Sequence, residues 1–170
     1  MDNGQRQLIT VQDSKFGKGT FATRNISKGS PIITIRGEKL DFSDSLSLGE
    51  RESYCLQVGI DSYIIAEVPF RYSNHSCDPN AGINSQLELV ALRPIAKGEE
   101  VLWDYSSSML ERHWTMRCHC GSPSCRQLIT DFDLLPKHVQ EYYLQLGIVL
   151  PFIVRYLEQQ WTSAVLVYAR

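Results

Sequence analysis

Short apolar segments separated by glycine and proline run through the first 105 residues of the chain. The segment at 87–92 partly alternates apolar and polar positions, which is typical of a half-buried strand. We predict strands at residues 7–11, 32–35, 54–58, 60–66, 87–92 and 101–105. Little helix is expected before residue 130, apart from a short one within the serine-rich stretch 41–51. The pattern predicts a mostly β domain.

The last forty residues follow a helical pattern instead. Apolar positions recur there at the spacing of one helix face, first at Val139, Tyr142, Tyr143 and Leu146, then at Leu150, Ile153, Val154, Leu157 and Trp161. Pro136 near the start and Gly147 after the end of the first set are typical helix boundaries. We predict two amphipathic helices that pack on the domain's own sheet. The alternative is a face for a partner or for a homodimer.

Two glycines flank Lys18 after the first predicted strand. Gly17 and Gly19 allow either a turn with positive φ or a close approach of the backbone to another group. A simple hairpin turn is the favoured interpretation, because Gly-x-Gly alone is a weak signal.

Composition and charge narrow the class of protein. The chain has 170 residues, 43% of them hydrophobic and 21% charged, as expected for one globular domain. With 17 basic and 19 acidic residues, it has no positive field for direct nucleic-acid binding. We find no signal-peptide pattern and no apolar run long enough for a bilayer, so no membrane is expected. An intracellular location, cytoplasmic or nuclear, is expected, or secretion as an effector if the source is bacterial.

The loop at 71–80 gathers side chains that carry chemistry. It holds Asn74, His75 and Cys77, followed by an Asp-Pro-Asn turn. Reactive side chains on a loop between apolar strands are typical of a functional site.

Three cysteines lie close together near residue 120. Cys118, Cys120 and Cys125 form Cys-x-Cys-x4-Cys, with Gly121 and Pro123 between the last two. Thiolates on a turning loop can converge on one Zn²⁺, which takes four ligands. The sequence therefore predicts a zinc site.

The fourth zinc ligand has three candidates, Cys77, His113 and His119. Cys77 is favoured because its loop already resembles a site. Four thiolates leave no open position, so the metal would be structural. Zinc would then close a pocket with walls from residues 71–80, 103–105 and 126–129. Cys55, in an apolar stretch, is expected to be a small buried hydrophobic residue.

Four blocks together resemble a known family. Residues 74–80 read Asn-His-Ser-Cys-Asp-Pro-Asn, residues 98–105 read Gly-Glu-Glu-Val-Leu-Trp-Asp-Tyr, and the cysteine block ends in Arg126. With the Gly-x-Gly block at 17–22, they resemble the SET-domain protein lysine methyltransferases that carry a post-SET zinc motif. The resemblance covers residues 8 to 129.

This resemblance implies a mostly β fold, the SET β-clip of small sheets with a pseudoknot-like threaded segment, here followed by C-terminal α-helices. It divides the chain into a SET domain (1–112), a post-SET zinc segment (113–130) and a helical extension (131–170). It implies S-adenosylmethionine as methyl donor and a lysine of a protein, possibly a histone, as acceptor.

The resemblance also assigns residues to roles. Tyr105 would be catalytic, and Trp103 and Tyr72 would line the substrate channel. The cofactor would contact Lys18, Gly19, Asn74, His75, Tyr105 and Leu128. Structural zinc would be held by Cys77, Cys118, Cys120 and Cys125.

Three positions depart from the family pattern. Residues 35–38 read Ile-Arg-Gly-Glu where the family often has Tyr-x-Gly-Glu, so the aromatic residue is missing and its cofactor contact is not expected. Residues 127–129 lack the usual aromatic, so an apolar lid over adenine is expected and aromatic stacking is not. Trp103 is bulkier than the usual Phe or Tyr, which suggests a tight pocket and monomethylation.

The alternative function is a catalytically inactive SET-like module that contains zinc and binds proteins. Tyr105 and Asn74 are both present, which favours the enzyme. A zinc hydrolase is disfavoured because four thiolates leave no open metal position.

Overall fold

The computed structural model describes the backbone of residues 7–168 and the side chains of residues 7–160. Trp161 of the second predicted helix is therefore outside the described side chains. The strands within this range are β1 (Ile9–Ser14), β2 (Gly17–Ala22), β3 (Pro31–Thr34), β4 (Gly37–Leu40), β5 (Cys55–Gly59), β6 (Ser62–Ala66), β7 (Ala81–Ile83), β8 (Glu88–Ala91), β9 (Met116–Arg117) and β10 (Leu128–Ile129). The helices are α1 (Phe42–Leu46), α2 (Lys137–Leu146) and α3 (Pro151–Tyr168).

The strands form small antiparallel sheets. Two are hairpins, β1–β2 and β9–β10, and two have three strands, in the orders β3-β8-β7 and β4-β6-β5. The predicted turn of Gly-x-Gly is confirmed, because β1 and β2 are joined at residues 15–16 and Gly17 has a φ of 96°. The mostly β fold with C-terminal helices is confirmed as well.

The strand predicted at 101–105 is wrong. Its backbone bonds to several segments in turn: Val101 N donates to Thr20 O, Ala81 N to Leu102 O, Trp103 N to Asn74 O, and Ser76 N to Trp103 O. An apolar run predicts burial, but a strand needs one continuous partner. The segment is buried and extended without a ladder, and Tyr105 begins a 3₁₀ turn (Tyr105–Ser108). The sequence also missed β4 and β7, which are four and three residues long.

The C-terminal helices belong to the main hydrophobic core. Helix α2 lies between Pro136 and Gly147, as these boundary residues predict, and the φ of 67° at Gly147 is left-handed. Helix α3 begins at Pro151. Buried residues of this region join the core of the sheets: Phe132, Tyr143, Ile148, Leu150, Ile153 and Leu157. Packing on the domain's own sheets is thus confirmed for the described side chains, and the homodimer stays a prediction. Among the described residues, no helix combines the length and apolarity that crossing a bilayer requires.

The helical region approaches the sheet closely at Gly82 in β7. A Cβ built on Gly82 would lie 2.6 Å from Ile148 Cγ2 and 2.8 Å from Ile148 Cβ. Atoms cannot approach so closely, so any side chain here would push residue 148 and the adjoining helices away from β7.

Gly82→Ala is accordingly expected to lower the free energy of unfolding by about 1–3 kcal/mol, because the core would have to shift to admit one methyl group. Urea unfolding measures the change. Ser85→Ala, at an exposed position in the turn between β7 and β8, is the control and should unfold like the wild type. Equal stability of the two variants would contradict this account of the packing.

Candidate functional site

The four thiols named from the sequence converge on one point. The Sγ atoms of Cys77, Cys118, Cys120 and Cys125 all lie within 4.8 Å of one another, and those of Cys77 and Cys118 are 3.7 Å apart. A tetrahedral Zn²⁺ with bonds of about 2.3 Å holds its sulfur ligands about 3.8 Å apart, so the group has the right size for zinc. Of the two histidine candidates, His113 pairs with Glu52 at 3.3 Å and His119 is exposed.

The β9–β10 hairpin explains how three of these thiols meet. Cys118 N donates to Gln127 O, which closes the loop, and Gly121 turns it with a φ of 79°. The loop then docks on the Asn74–Cys77 region, where Arg126 N donates to Cys77 Sγ over 3.4 Å. Cys55 lies outside the group, half-buried in β5 rather than fully buried, and burial raises the pKa of its thiol to about 11.

A cleft of about 540 Å³ lies beside the thiols. Its walls come from the β1–β2 turn, the loop before Cys77 and the segment at 114–120. Among the predicted cofactor residues Lys18, Asn74, His75 and Tyr105 line it, and so does Tyr72, which was predicted for the substrate channel. Gly19 and Leu128 are not among the described lining residues. Leu128 is exposed, while its neighbour Ile129 lines the cleft.

Asn74 holds the wall of this cleft together. Its Nδ2 donates to Lys18 O at 2.9 Å and to Glu100 Oε1 at 2.7 Å. A Cβ on Gly19 would lie 2.2 Å from that same Glu100 oxygen. The absence of a side chain at Gly19 therefore allows Glu100 and Asn74 to approach the β2 backbone closely. A close approach was the less favoured interpretation of the Gly-x-Gly block.

A smaller cavity of about 110 Å³ adjoins the cleft. Aromatic side chains form much of its wall: Tyr54, Tyr63, Phe70, Trp103, Tyr105 and Trp114. Tyr54, Tyr105 and Trp114 line the cleft too, so they lie between the two spaces. The smaller cavity also has two carboxylates, Glu52 and Glu111.

Several residues of the cavity wall were missed from the sequence. Phe70, Trp114 and Glu111 come from separate segments, and only their residue types could have suggested them. Glu111 accepts a hydrogen bond from Tyr63 Oη at 2.7 Å, and burial raises the pKa of its carboxyl. Trp103 was placed here by the sequence and is 6% exposed, and its Nε1 has no partner among the described residues.

Tyr105 occupies the boundary of the cleft and the cavity. Its Oη donates to Ser73 O at 2.9 Å, and its ring centroid is 4.9 Å from that of Trp103. Burial raises the pKa of Tyr105, so the phenol keeps its proton at neutral pH.

His75 is neutral, because burial lowers its pKa to about 4. Tyr105 N donates to His75 Nδ1 at 3.2 Å, so the ring proton is assigned to Nε2, which lies 3.3 Å from Cys77 Sγ. His75 thus links the backbone of Tyr105 to the thiol group.

Asp104 was given no role from the sequence, yet it joins three parts of the chain. Its side chain is fully buried. Arg126 Nη2 donates to both carboxylate oxygens, at 2.6 and 2.9 Å, and Tyr143 Oη donates to Oδ2 at 2.8 Å. A buried carboxylate needs such partners. No signal in the sequence paired Asp104 with Arg126 or with Tyr143.

Loss of one thiol should weaken the metal site. We expect about one Zn²⁺ per chain in protein prepared under reducing conditions, and Cys125→Ser should hold less than about half of that, because three thiolates bind zinc more weakly than four. Atomic absorption measures the content. Cys55→Ser, which removes a thiol outside the group, is the matched control and should keep its zinc. Equal zinc in both variants would refute the site.

Comparison with known proteins yields one family model, the SET domain, which matches residues 17–106. The "Variant-silencing SET domain-containing protein" of Plasmodium falciparum is 32% identical over 71% of this chain and 6% of its own length. Drosophila melanogaster "Histone-lysine N-methyltransferase ash1" is 30% identical over 74% of the chain and 7% of its length. Human "Histone-lysine N-methyltransferase 2B" is 28% identical over 66% of the chain. The chain spans only 5% of that protein's length.

Proposed function

The chain belongs to the SET-domain family, and we propose that it is an S-adenosylmethionine-dependent protein lysine N-methyltransferase. The observation that carries this proposal is the position of Tyr105, whose side chain lines both the larger cleft and the narrow aromatic cavity. A methyl donor and an acceptor amine held in separate spaces must meet at their shared boundary. One hydroxyl at that boundary fits a transfer between them.

The larger cleft is the proposed cofactor site. Its volume of about 540 Å³ falls in the range of ordinary small-ligand pockets. Lys18, Asn74 and His75 would hold the cofactor, with Asn74 also fixing the Lys18 carbonyl. When bound, S-adenosylmethionine supplies an electrophilic methyl group on a sulfonium, and the C–S bond breaks as the lysine nitrogen bonds to that carbon.

The smaller cavity is the proposed channel for the target lysine. A free lysine has a pKa of about 10.4, so only about one in 2,500 is neutral at pH 7. The carboxylates of Glu52 and Glu111 favour entry of the ammonium, while the aromatic wall beyond them disfavours its charge. The amine therefore loses its proton to water before it reacts.

Tyr105 would orient that amine. Its own proton is donated to Ser73 O, so its oxygen is left to accept an N–H of the substrate. This contact points the nitrogen lone pair toward the cleft. The four thiolates would bind structural zinc and hold the segment at 114–129 against the cleft. The substrate is proposed to be a protein, with histones as the first candidates because relatives are named histone-lysine methyltransferases.

Tyr105→Phe should lower methyl transfer by about 10²–10⁴-fold while cofactor affinity is kept, because only the orienting hydroxyl is lost. Calorimetry with S-adenosylmethionine measures binding, and transfer of tritiated methyl to core histones and ribosomal proteins measures turnover. Tyr156→Phe on α3 is the control.

The same calorimetry separates the enzyme from the inactive interaction module. Binding of S-adenosylmethionine that is weakened in Asn74→Ala supports the enzyme. A folded, zinc-loaded wild type that binds none at millimolar cofactor favours the module. Undiminished transfer by Tyr105→Phe would refute the role of its hydroxyl.

Trp103 is proposed to limit the number of methyl groups added. It is packed between Phe70, at a centroid distance of 5.6 Å, and Tyr105. Trp103→Phe frees space beside the amine and removes a buried N–H that has no described partner, so stability should change little. Mass spectrometry should find monomethyl-lysine with the wild type and added dimethyl-lysine with the variant. Trimethyl-lysine from the wild type would contradict the proposal.

A further inference from the structure

Helix α2 lies outside the residues that match the family, yet one of its side chains reaches the candidate active site. Tyr143 is 2% exposed, and its Oη donates to Asp104 Oδ2 at 2.8 Å. Asp104 directly precedes Tyr105 in the chain. Burial raises the pKa of Tyr143, so its hydroxyl keeps the proton that it donates.

Asp104 has few other groups to satisfy its charge. Besides Tyr143, the described donors to its carboxylate are the Arg126 guanidinium and Ser106 N, which lies 3.1 Å from Oδ1. Among the residues whose side chains are described, Oδ2 accepts hydrogen bonds from Arg126 and Tyr143 alone. Removal of the hydroxyl would leave a fully buried oxygen with one donor, which favours a shift of the carboxylate.

Such a shift would be transmitted in two directions. One is toward Tyr105, since His75 Nδ1 accepts the Tyr105 N–H and lies 3.5 Å from Asp104 Oδ1. The other is toward the thiol group, since Arg126 holds Asp104 with its side chain and donates its backbone N–H to Cys77 Sγ.

We propose that Tyr143 is a positioning residue that, by holding Asp104, ties helix α2 to Tyr105 and to the zinc-binding segment. The helical region after residue 131 then helps to position residues of the cofactor site, in addition to packing on the sheets. The effect of Tyr143 on the cofactor site rests on the proposed function. Its effect on the zinc-binding segment does not.

The experiment compares Tyr143→Phe with two matched variants. Tyr142→Phe removes the hydroxyl of the neighbouring tyrosine, which is 56% exposed. Ile148→Val weakens the packing of the helical region against Gly82 and leaves the hydrogen bonds of Asp104 intact. The second variant therefore lowers stability by a route that does not pass through the carboxylate.

Two quantities are measured well below the melting temperature. Calorimetry gives the Kd of S-adenosylhomocysteine for zinc-loaded protein, and a chromophoric chelator gives the rate of zinc release. For Tyr143→Phe we expect a Kd raised about 3–30-fold and zinc release faster by about tenfold. A lost hydrogen bond to a charged group corresponds to about 12–150-fold, and only part of that loss is transmitted from Asp104 to each site. Both controls should match the wild type.

If Tyr143→Phe and Ile148→Val both melt earlier while Kd and zinc release stay at wild-type values, Tyr143 is a packing residue and the inference is wrong. If the wild type binds no S-adenosylhomocysteine, the proposed function fails, and zinc release alone decides the role of Tyr143.

A double variant tests whether the effect of Tyr143 passes through the Asp104 carboxylate. Asp104→Asn removes the charge that needs the hydroxyl, so adding Tyr143→Phe to it should change zinc release by less than about twofold. A further large acceleration in the double variant would show that Tyr143 acts by another route, which overturns the inference.

Discussion

The rest of the structure depends on the buried carboxylate of Asp104. A charge without exposure to water is tolerated only when opposite charge and hydrogen-bond donors surround it. Arg126 and Tyr143 supply these donors from positions 22 and 39 residues further along the chain. Their convergence therefore joins the buried segment at 101–105, the zinc-binding hairpin and helix α2 at one point.

Because the segment at 101–105 forms no continuous ladder, it can contact several elements at once. Because its backbone groups bond to β2, to the start of β7 and to the loop before Cys77, the segment lies between these elements and not at the edge of a sheet. Tyr105 at its end can then face two spaces at once. A regular strand would direct successive side chains to opposite faces and would not require this exchange of partners.

Local patterns predicted much of the fold, and they failed where partners are distant. The helical periodicity was sufficient for α2 and α3, the boundary residues Pro136 and Gly147 were sufficient for the ends of α2, and alternation was sufficient for β8. Strand β7 has three residues, which is too short for any period to appear. The segment at 101–105 was predicted as a strand because its apolar residues indicate burial. The sequence does not show which backbone groups the segment bonds to.

The candidate site divides in the same way. Spacing brought forward the cysteines, the composition of one loop brought forward Asn74 and His75, and the family resemblance brought forward Tyr105. The structure brings the four thiols together, and two of them line one cleft with these three residues. The sequence-based prediction missed Trp114 and Glu111, whose neighbours in space are remote in sequence. It also placed Tyr72 in the channel although that side chain lines the cleft.

The division into residues 1–112, 113–130 and 131–170 stays a prediction. The hydrophobic core nevertheless continues from the sheets through Phe132 into α2 and α3, so a boundary at residue 130 would separate side chains that are buried together. Removing the helical region would also take away one of the two described side-chain donors to Asp104, next to the residue on which methyl transfer is proposed to depend.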